Sequence, residues 1–225
     1  MYNRFHFDFA RNSLKFLIRK YKIEEIYIPY YLCDVIRHSI VSEKCKPIFY
    51  HIDNDFMPAQ IFPEESYILY PNYFGICNIN VNKLTTIYPK LIVDNAHACF
   101  NQPQGFACFN SERKFLPVEN GSELWIKTDN KTDMAKDVTT LQEKRLEIFI
   151  KLHKKYGSKN CIDISTSEIT SPFCYPCLLE TANEADELAE NLTKNGKTIY
   201  RYWNPLPKNY NEYKFYRQLV PIPLN

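Results

Sequence analysis

The sequence predicts an α/β fold, a mainly parallel sheet flanked by helices, with a small α+β domain at its C-terminal end. Three observations carry this. Short apolar runs alternate with helical or irregular links, as parallel strands joined by crossovers do. Polar residues follow several of these runs, and the carboxyl ends of parallel strands are where such sheets bind ligands. Beyond a polar connector, two well-spaced amphipathic helices bracket further apolar runs. We therefore expect one domain over 1–138 and a second over 139–225.

The elements follow in order. Asn12 to Tyr21 carries Leu14, Leu17, Ile18 and Tyr21 at helical spacing, with Asn12 or Ser13 as the expected cap. Ile26 to Ile28 is a strand stopped by Pro29, and Leu32 to Val41 reads as a helix. Pro47 to His51, Tyr67 to Tyr70, Leu91 to Val93 and Phe106 to Phe109 are the next strands. Lys127 to Lys136, rich in Asp, Asn, Thr and Lys, reads as a surface connector. Thr139 or Thr140 then caps a helix with Leu141, Leu146, Phe149, Ile150 and Leu152 on its apolar face. Basic residues close that helix and Gly157 stops it. Ile162 to Leu179 reads as strands, Asn183 to Asn195 as a helix ended by Gly196, and Thr198 to Tyr202 as the last strand.

Composition bounds the function. The chain has 225 residues, enough to bury one good core or one with a small appendage. With 28 basic and 26 acidic residues the net charge is +2, which favours neither nucleic acid nor a membrane surface. No apolar run approaches the length of a membrane span, and Arg4, Asp8 and Arg11 break up the N-terminal segment, so no secretory signal is expected. Most of the eight cysteines lie inside apolar runs, which suits reduced, buried thiols in the cytoplasm. Cys174 and Cys177 have the spacing of a metal or redox pair. No second pair or histidine follows, so no metal is expected there.

The stretch from Leu91 to Trp125, LIVDNAHACFNQPQGFACFNSERKFLPVENGSELW, holds the chemistry. Asp94 ends one apolar strand and His97 lies just beyond. The next apolar run leads into Ser111, Glu112, Arg113 and Lys114. An acid after one buried strand and a lysine after the next can hold a planar, anionic cofactor between them. This is the working geometry of pyridoxal 5′-phosphate (PLP) enzymes, in which the acid keeps the proton on the pyridine nitrogen and the lysine bonds the cofactor's aldehyde. Burial would raise the Asp94 pKa, and a pyridinium would offset that. Lys114 must lose its proton to attack, which burial and neighbouring Arg113 favour. Ser111 and the first amides of the helix opened by Ala10, Arg11 and Asn12 suit a phosphate.

Six blocks in order resemble the DegT/DnrJ/EryC1/StrS family of PLP-dependent sugar aminotransferases. They are ARNSLKFL, IYIPYYLCDVI, YPNYFGI, VDNAHA, SERKFLPVENGSELW and the closing YRYWNPLP with LVPIPLN. The resemblance implies a shortened type I aminotransferase-like large domain and PLP as cofactor. It makes Lys114 the Schiff-base lysine, Asp94 the partner of the pyridine nitrogen and His97 a neighbour of the phenolic oxygen. Ser111, Arg11 and Asn12 would hold the phosphate, and Asn72 would end the Asn-Tyr-Phe-Gly strand. Tyr31 and Cys33 compete for the ring-facing position. The register favours Cys33 and stacking chemistry favours Tyr31. Trp203 is expected to be a core or domain-contact aromatic.

The implied reaction moves an amino group from an amino acid, glutamate, to a keto-sugar nucleotide, for surface polysaccharide or other glycoconjugates, in a homodimer. Dehydratases of the family carry His in place of the lysine, so Lys114 argues against dehydration. The family's extra helices and a loop reaching the partner's cofactor are missing between Trp125 and Thr139. This leaves a shortened PLP-binding or interaction protein with little turnover as the alternative. No G-x-G-x-x-G or Walker A loop supports an unrelated nucleotide-binding fold.

Overall fold

The structure, a computed structural model, describes residues 1–129, 139–203 and 205–225. Its centre is a seven-stranded sheet. The strands are β1 (Tyr2–Phe7), β2 (Glu25–Pro29), β3 (Lys46–Tyr50), β4 (Ile68–Pro71), β5 (Leu91–Asn95), β6 (Ala107–Asn110) and β7 (Ser122–Lys127). They lie in the order β1-β7-β6-β5-β4-β2-β3. β2 through β6 are mutually parallel, while β7 runs antiparallel to β6 and β1 antiparallel to β7. Helices α1 (Ala10–Tyr21), α2 (Asp34–Ser42) and α3 (Asn78–Ile87) fill the connections.

The central strands are buried throughout, as strands covered on both faces must be. Their side chains alternate between two cores. Leu69 and Ile92 point to the core beneath α1 and α2, with Leu14, Leu17 and Ile36. Ile68, Tyr70, Leu91 and Val93 point to the other core. That second core is shared with the C-terminal part of the chain, which comprises α4 (Thr139–Tyr156), β8 (Cys174–Leu178), α5 (Ala182–Lys194), α6 (Tyr213–Gln218) and β9 (Leu219–Pro223). β8 and β9 form an antiparallel pair. Phe215 brings its ring within 5.1 Å of Tyr31 and 5.0 Å of Phe56. Buried Glu212 accepts the Ile52 amide at 2.8 Å and pairs with His51 at 3.0 Å, fastening the segment before α6 to the end of β3.

The mainly parallel α/β architecture is the expected one, and the inner strands fall within a residue or two of their expected places. Four local readings are corrected. Helix α1 starts at Ala10 with Phe9 at its N-cap, so neither Asn12 nor Ser13 caps it, and Asn12 instead donates its amide to the Phe9 carbonyl. β1 and β7 were not anticipated, and Lys127 belongs to β7 rather than to a connector. Of the Ile162 to Leu179 stretch only Cys174–Leu178 is a strand. Thr198 to Tyr202 is not a strand, and β8 pairs with β9 instead. The rest of the expected connector, 130–138, lies outside the described residues, as does whatever precedes Thr139 at the start of α4. Helix α5 is fixed by a reciprocal cap, Thr181 accepting the Glu184 amide while Glu184 accepts the Thr181 amide.

Candidate active site

The carboxyl ends of β4, β5 and β6 converge on one cavity. Asn72 follows β4, Asp94 lies at the end of β5 with His97 just beyond it, and Ser111 and Lys114 follow β6. Arg11 from the start of α1 and Cys33 from the start of α2 complete the wall. Seven of the nine expected site residues therefore meet around one space. Two do not line it. Tyr31 is buried beside the cavity, stacked on Tyr73 and packed against the tilted ring of Phe215, with its hydroxyl on the Tyr202 carbonyl at 3.3 Å. Cys33, at the N-cap of α2, takes the lining position instead. Asn12 turns its amide back to Phe9 at 2.8 Å, so the outward amides of the first turn are those of Ala10 and Arg11.

Asp94 sits in register between Pro71 of β4 and Phe109 of β6, with 7% of its surface exposed. One carboxylate oxygen accepts the Ala96 amide at 2.8 Å. Burial raises its pKa, and the Lys114 charge and that amide partly oppose the rise. Lys114 closes a short 3-10 turn, Glu112–Lys114, with its ammonium 5.7 Å from the centre of the Phe173 ring. Burial lowers its pKa, as does Arg113, while Asp94 pulls it upward. Each group thus feels the other across the cavity, and each is pushed toward its neutral form. A ligand offering a cation to Asp94 and an electrophile to Lys114 would relieve both.

His97 is held in an aromatic stack. Its ring lies 4.4 Å from Phe173 at 13° and 5.8 Å from Trp203 at 7°. Burial and the Lys114 charge hold its pKa well below the usual histidine range, so the imidazole is neutral. Asn72 is a scaffold: its amide group donates to Asn78 at 2.8 Å and Asn95 at 3.2 Å, and its oxygen accepts the Cys77 amide at 3.0 Å. At the opposite wall, α1 begins without a side-chain cap, and Ser111 makes no cap hydrogen bond to the turn it precedes. Uncapped first-turn amides, the Arg11 guanidinium and a hydroxyl are groups that could together hold an anion.

Among the lining residues that the sequence does not assign to the site are Arg113 and Trp203. Arg113 was visible as the neighbour of Lys114. Trp203 had no local signal, because its place depends on how the C-terminal segment folds back. It adopts φ 55°, a left-handed conformation that bulky residues rarely take.

The backbone under this stack is tight. Gly75 has φ +75°, and a Cβ there would collide with the carbonyl oxygens of His97 and Ser171. Gly75→Ala should therefore cost about 3 kcal/mol, from left-handed strain and overpacking together. Urea denaturation measures this, and a change under about 0.5 kcal/mol would show that the turn relaxes freely.

The charge coupling predicts a pH dependence. The rate at which Lys114 captures an aldehyde should rise with pH through a pKa below that of an ordinary lysine. Asp94→Asn removes the charge that raises it, so the profile should move to lower pH. Stopped-flow absorbance across pH reads this, and a shift to higher pH would contradict the geometry.

No protein-family model and no curated protein matches the sequence. Solved structures do match in shape. A DegT/DnrJ/EryC1/StrS aminotransferase from Brucella abortus superposes with TM-score 0.74 at 13% identity, over 98% of this chain and 80% of that one. The putative sugar aminotransferase Spr1654 from Streptococcus pneumoniae, in its PMP form, gives TM-score 0.74 at 16% identity, over 99% and 81%. PseC from Helicobacter pylori, an aminotransferase of pseudoaminic acid biosynthesis, gives 0.69 at 16%, over 98% and 81%. The chain therefore has the fold of these sugar aminotransferases, and the match spans about four fifths of their length.

Proposed function

We propose that this protein is a PLP-dependent aminotransferase that passes an amino group from an amino acid to a keto-sugar nucleotide. The observation that carries the reading is the facing pair of Asp94 and Lys114 in one cavity, with an uncapped helix start and Ser111 beside them. The donor set fits PLP. Asp94 would hold the pyridine nitrogen, Lys114 would be the covalent anchor, and neutral His97 would donate to the phenolic oxygen. The amides of Ala10 and Arg11, with Ser111 and the Arg11 side chain, would take the phosphate. Cys33 would face the ring. When bound, PLP supplies the electron sink that lets a proton leave the donor's α-carbon.

The chain's own groups do the rest. Lys114 would be the base that carries a proton between carbon atoms, and burial, which lowers its pKa, favours the unprotonated amine that this needs. Burial raises the Asp94 pKa, and a cation placed against it would favour the carboxylate. Phe173 and Trp203 hold His97 flat and exclude water from its ring.

Glutamate as donor, a homodimer and a cytoplasmic setting complete the proposal, with the cofactor domain over 1–138 and the small domain over 139–225. Among the described residues no helix is long and apolar enough to cross a membrane, and no cluster of His, Cys, Asp and Glu could hold a metal. The test is chemical. Protein loaded with PLP and given glutamate should release 2-oxoglutarate once per site. It should turn over when a keto-sugar nucleotide is added. Stable PLP binding with no oxo-acid release from any common amino acid would favour the shortened, non-turning protein instead.

A further inference from the structure

Arg145 lies on α4, behind the cavity rather than in its wall, yet its side chain reaches the residues that frame the site. The guanidinium donates from Nε to the Pro172 carbonyl at 3.0 Å and from a terminal nitrogen to the Phe173 carbonyl. Its central carbon lies 5.0 Å from the centre of the Phe115 ring. Phe115 directly follows Lys114, and its ring meets that of Phe173 at 5.7 Å and 58°. Phe173 carries His97 on its face at 4.4 Å and 13°, and the Lys114 ammonium is 5.7 Å from its centre. Half-buried Arg145 thus touches both the residue beside Lys114 and the ring beneath His97.

Burial works against the Arg145 charge, and among the described residues no carboxylate pairs with it. An apolar side chain of similar length would fill the space without that cost. It could not offer a rigid fork of donors to two successive carbonyls. Those carbonyls matter because peptide units are planar, so a residue's direction is set by the two planes that flank its α-carbon. At Phe173 both planes are pinned. The preceding plane is held by Arg145 at the Pro172 carbonyl and by the Phe74 carbonyl, which accepts the Phe173 amide at 2.8 Å. The following plane is held by Arg145 at the Phe173 carbonyl. One residue earlier, the Ser171 hydroxyl accepts the Phe100 amide at 3.2 Å and anchors the segment. We infer that Arg145 is a positioning residue for this site: by pinning both peptide planes it aims the Phe173 ring, and through that ring it sets the plane of His97. The aminotransferase reading enters only in what His97 then does, which is to donate to the phenolic oxygen of PLP. The placement itself is tested without cofactor.

Imidazole titration by NMR on the cofactor-free protein, with His97→Phe to assign the signal, reads the placement. In the parent, His97 should stay neutral to well below the usual histidine range. In Arg145→Met, which keeps an apolar stem, the ring should gain water and titrate about one pH unit or more higher. Arg145→Lys, which can reach one carbonyl but not two, should fall between. Phe173→Leu removes the ring and leaves Arg145 on its carbonyls, and should reproduce the shift even where Arg145→Met folds poorly. Lys114 and Tyr202, the titratable groups that face His97, are untouched by these changes. An unchanged His97 titration in folded Arg145→Met, or in Phe173→Leu, would overturn the inference. Absorbance of the PLP-loaded protein gives the second reading. A donor on the phenolic oxygen favours the imine without its proton, so Arg145→Met should lose that proton at a pH higher by up to about one unit. In a His97→Phe background Arg145→Met should add nothing, and additive shifts would show that Arg145 acts by another route. A changed His97 titration with no imine absorbance in any of these proteins sinks the cofactor reading and leaves the positioning role standing.

Discussion

Lys114→Ala should fold as the parent does and lose amino transfer by at least about three orders of magnitude. The lysine is asked to do two things, to anchor the cofactor and to carry the proton, and loss of a single general base alone typically costs about 10²–10⁴-fold. Stability should not fall with activity. Burial disfavours the charged amine in the fold, so removing it removes a cost. Circular dichroism melts and oxo-acid release, measured on the same preparation, check both halves. Activity within about tenfold of the parent would mean that another amine serves the reaction.

Asp94→Asn should cut transamination about a hundredfold, because an amide cannot hold the pyridine proton and a charge-assisted contact of this kind supplies about 3 kcal/mol in the transition state. The same change should raise the melting temperature of cofactor-free protein at neutral pH. The folded-state pKa of Asp94 is raised, so the folded protein holds its proton more tightly than the unfolded chain does. Its destabilising effect is therefore absent below the ordinary carboxyl range, grows as pH rises through the folded pKa, and is fully present above it. The gain in melting temperature should accordingly vanish at acid pH. Equal melting temperatures at all pH values would show that the carboxylate is well solvated. Near-parent turnover would show that Asp94 does not face the ring nitrogen.

Much of this arrangement was legible in the sequence because it is local. The inner strands are short apolar runs, and residues just past their ends are carried to the carboxyl edge of the sheet by topology alone. Asn72, Asp94, His97, Ser111 and Lys114 could thus be grouped without knowing any side-chain contact. Other features depend on distant partners. β1 mixes half-buried and exposed residues without strict alternation and gains its place by pairing with β7, more than a hundred residues away. Thr198 to Tyr202 has the composition of a strand, but β9 occupies the edge of β8. Tyr31 and Cys33 are two residues apart, so periodicity could not choose between them. Packing of Tyr31 against Tyr73, Phe215 and Trp203 buries it and leaves Cys33 at the cavity. Trp203 entered the site by the same long-range folding.

The central claim is that Lys114 bonds the cofactor opposite Asp94. Reduction of PLP-loaded protein with borohydride, followed by peptide mapping, tests it most directly. A phosphopyridoxyl group on Lys114 is the expected result, with none on Asp94→Asn protein exceeding it in occupancy. A label confined to any other lysine, or no label in protein that holds PLP, would contradict the account.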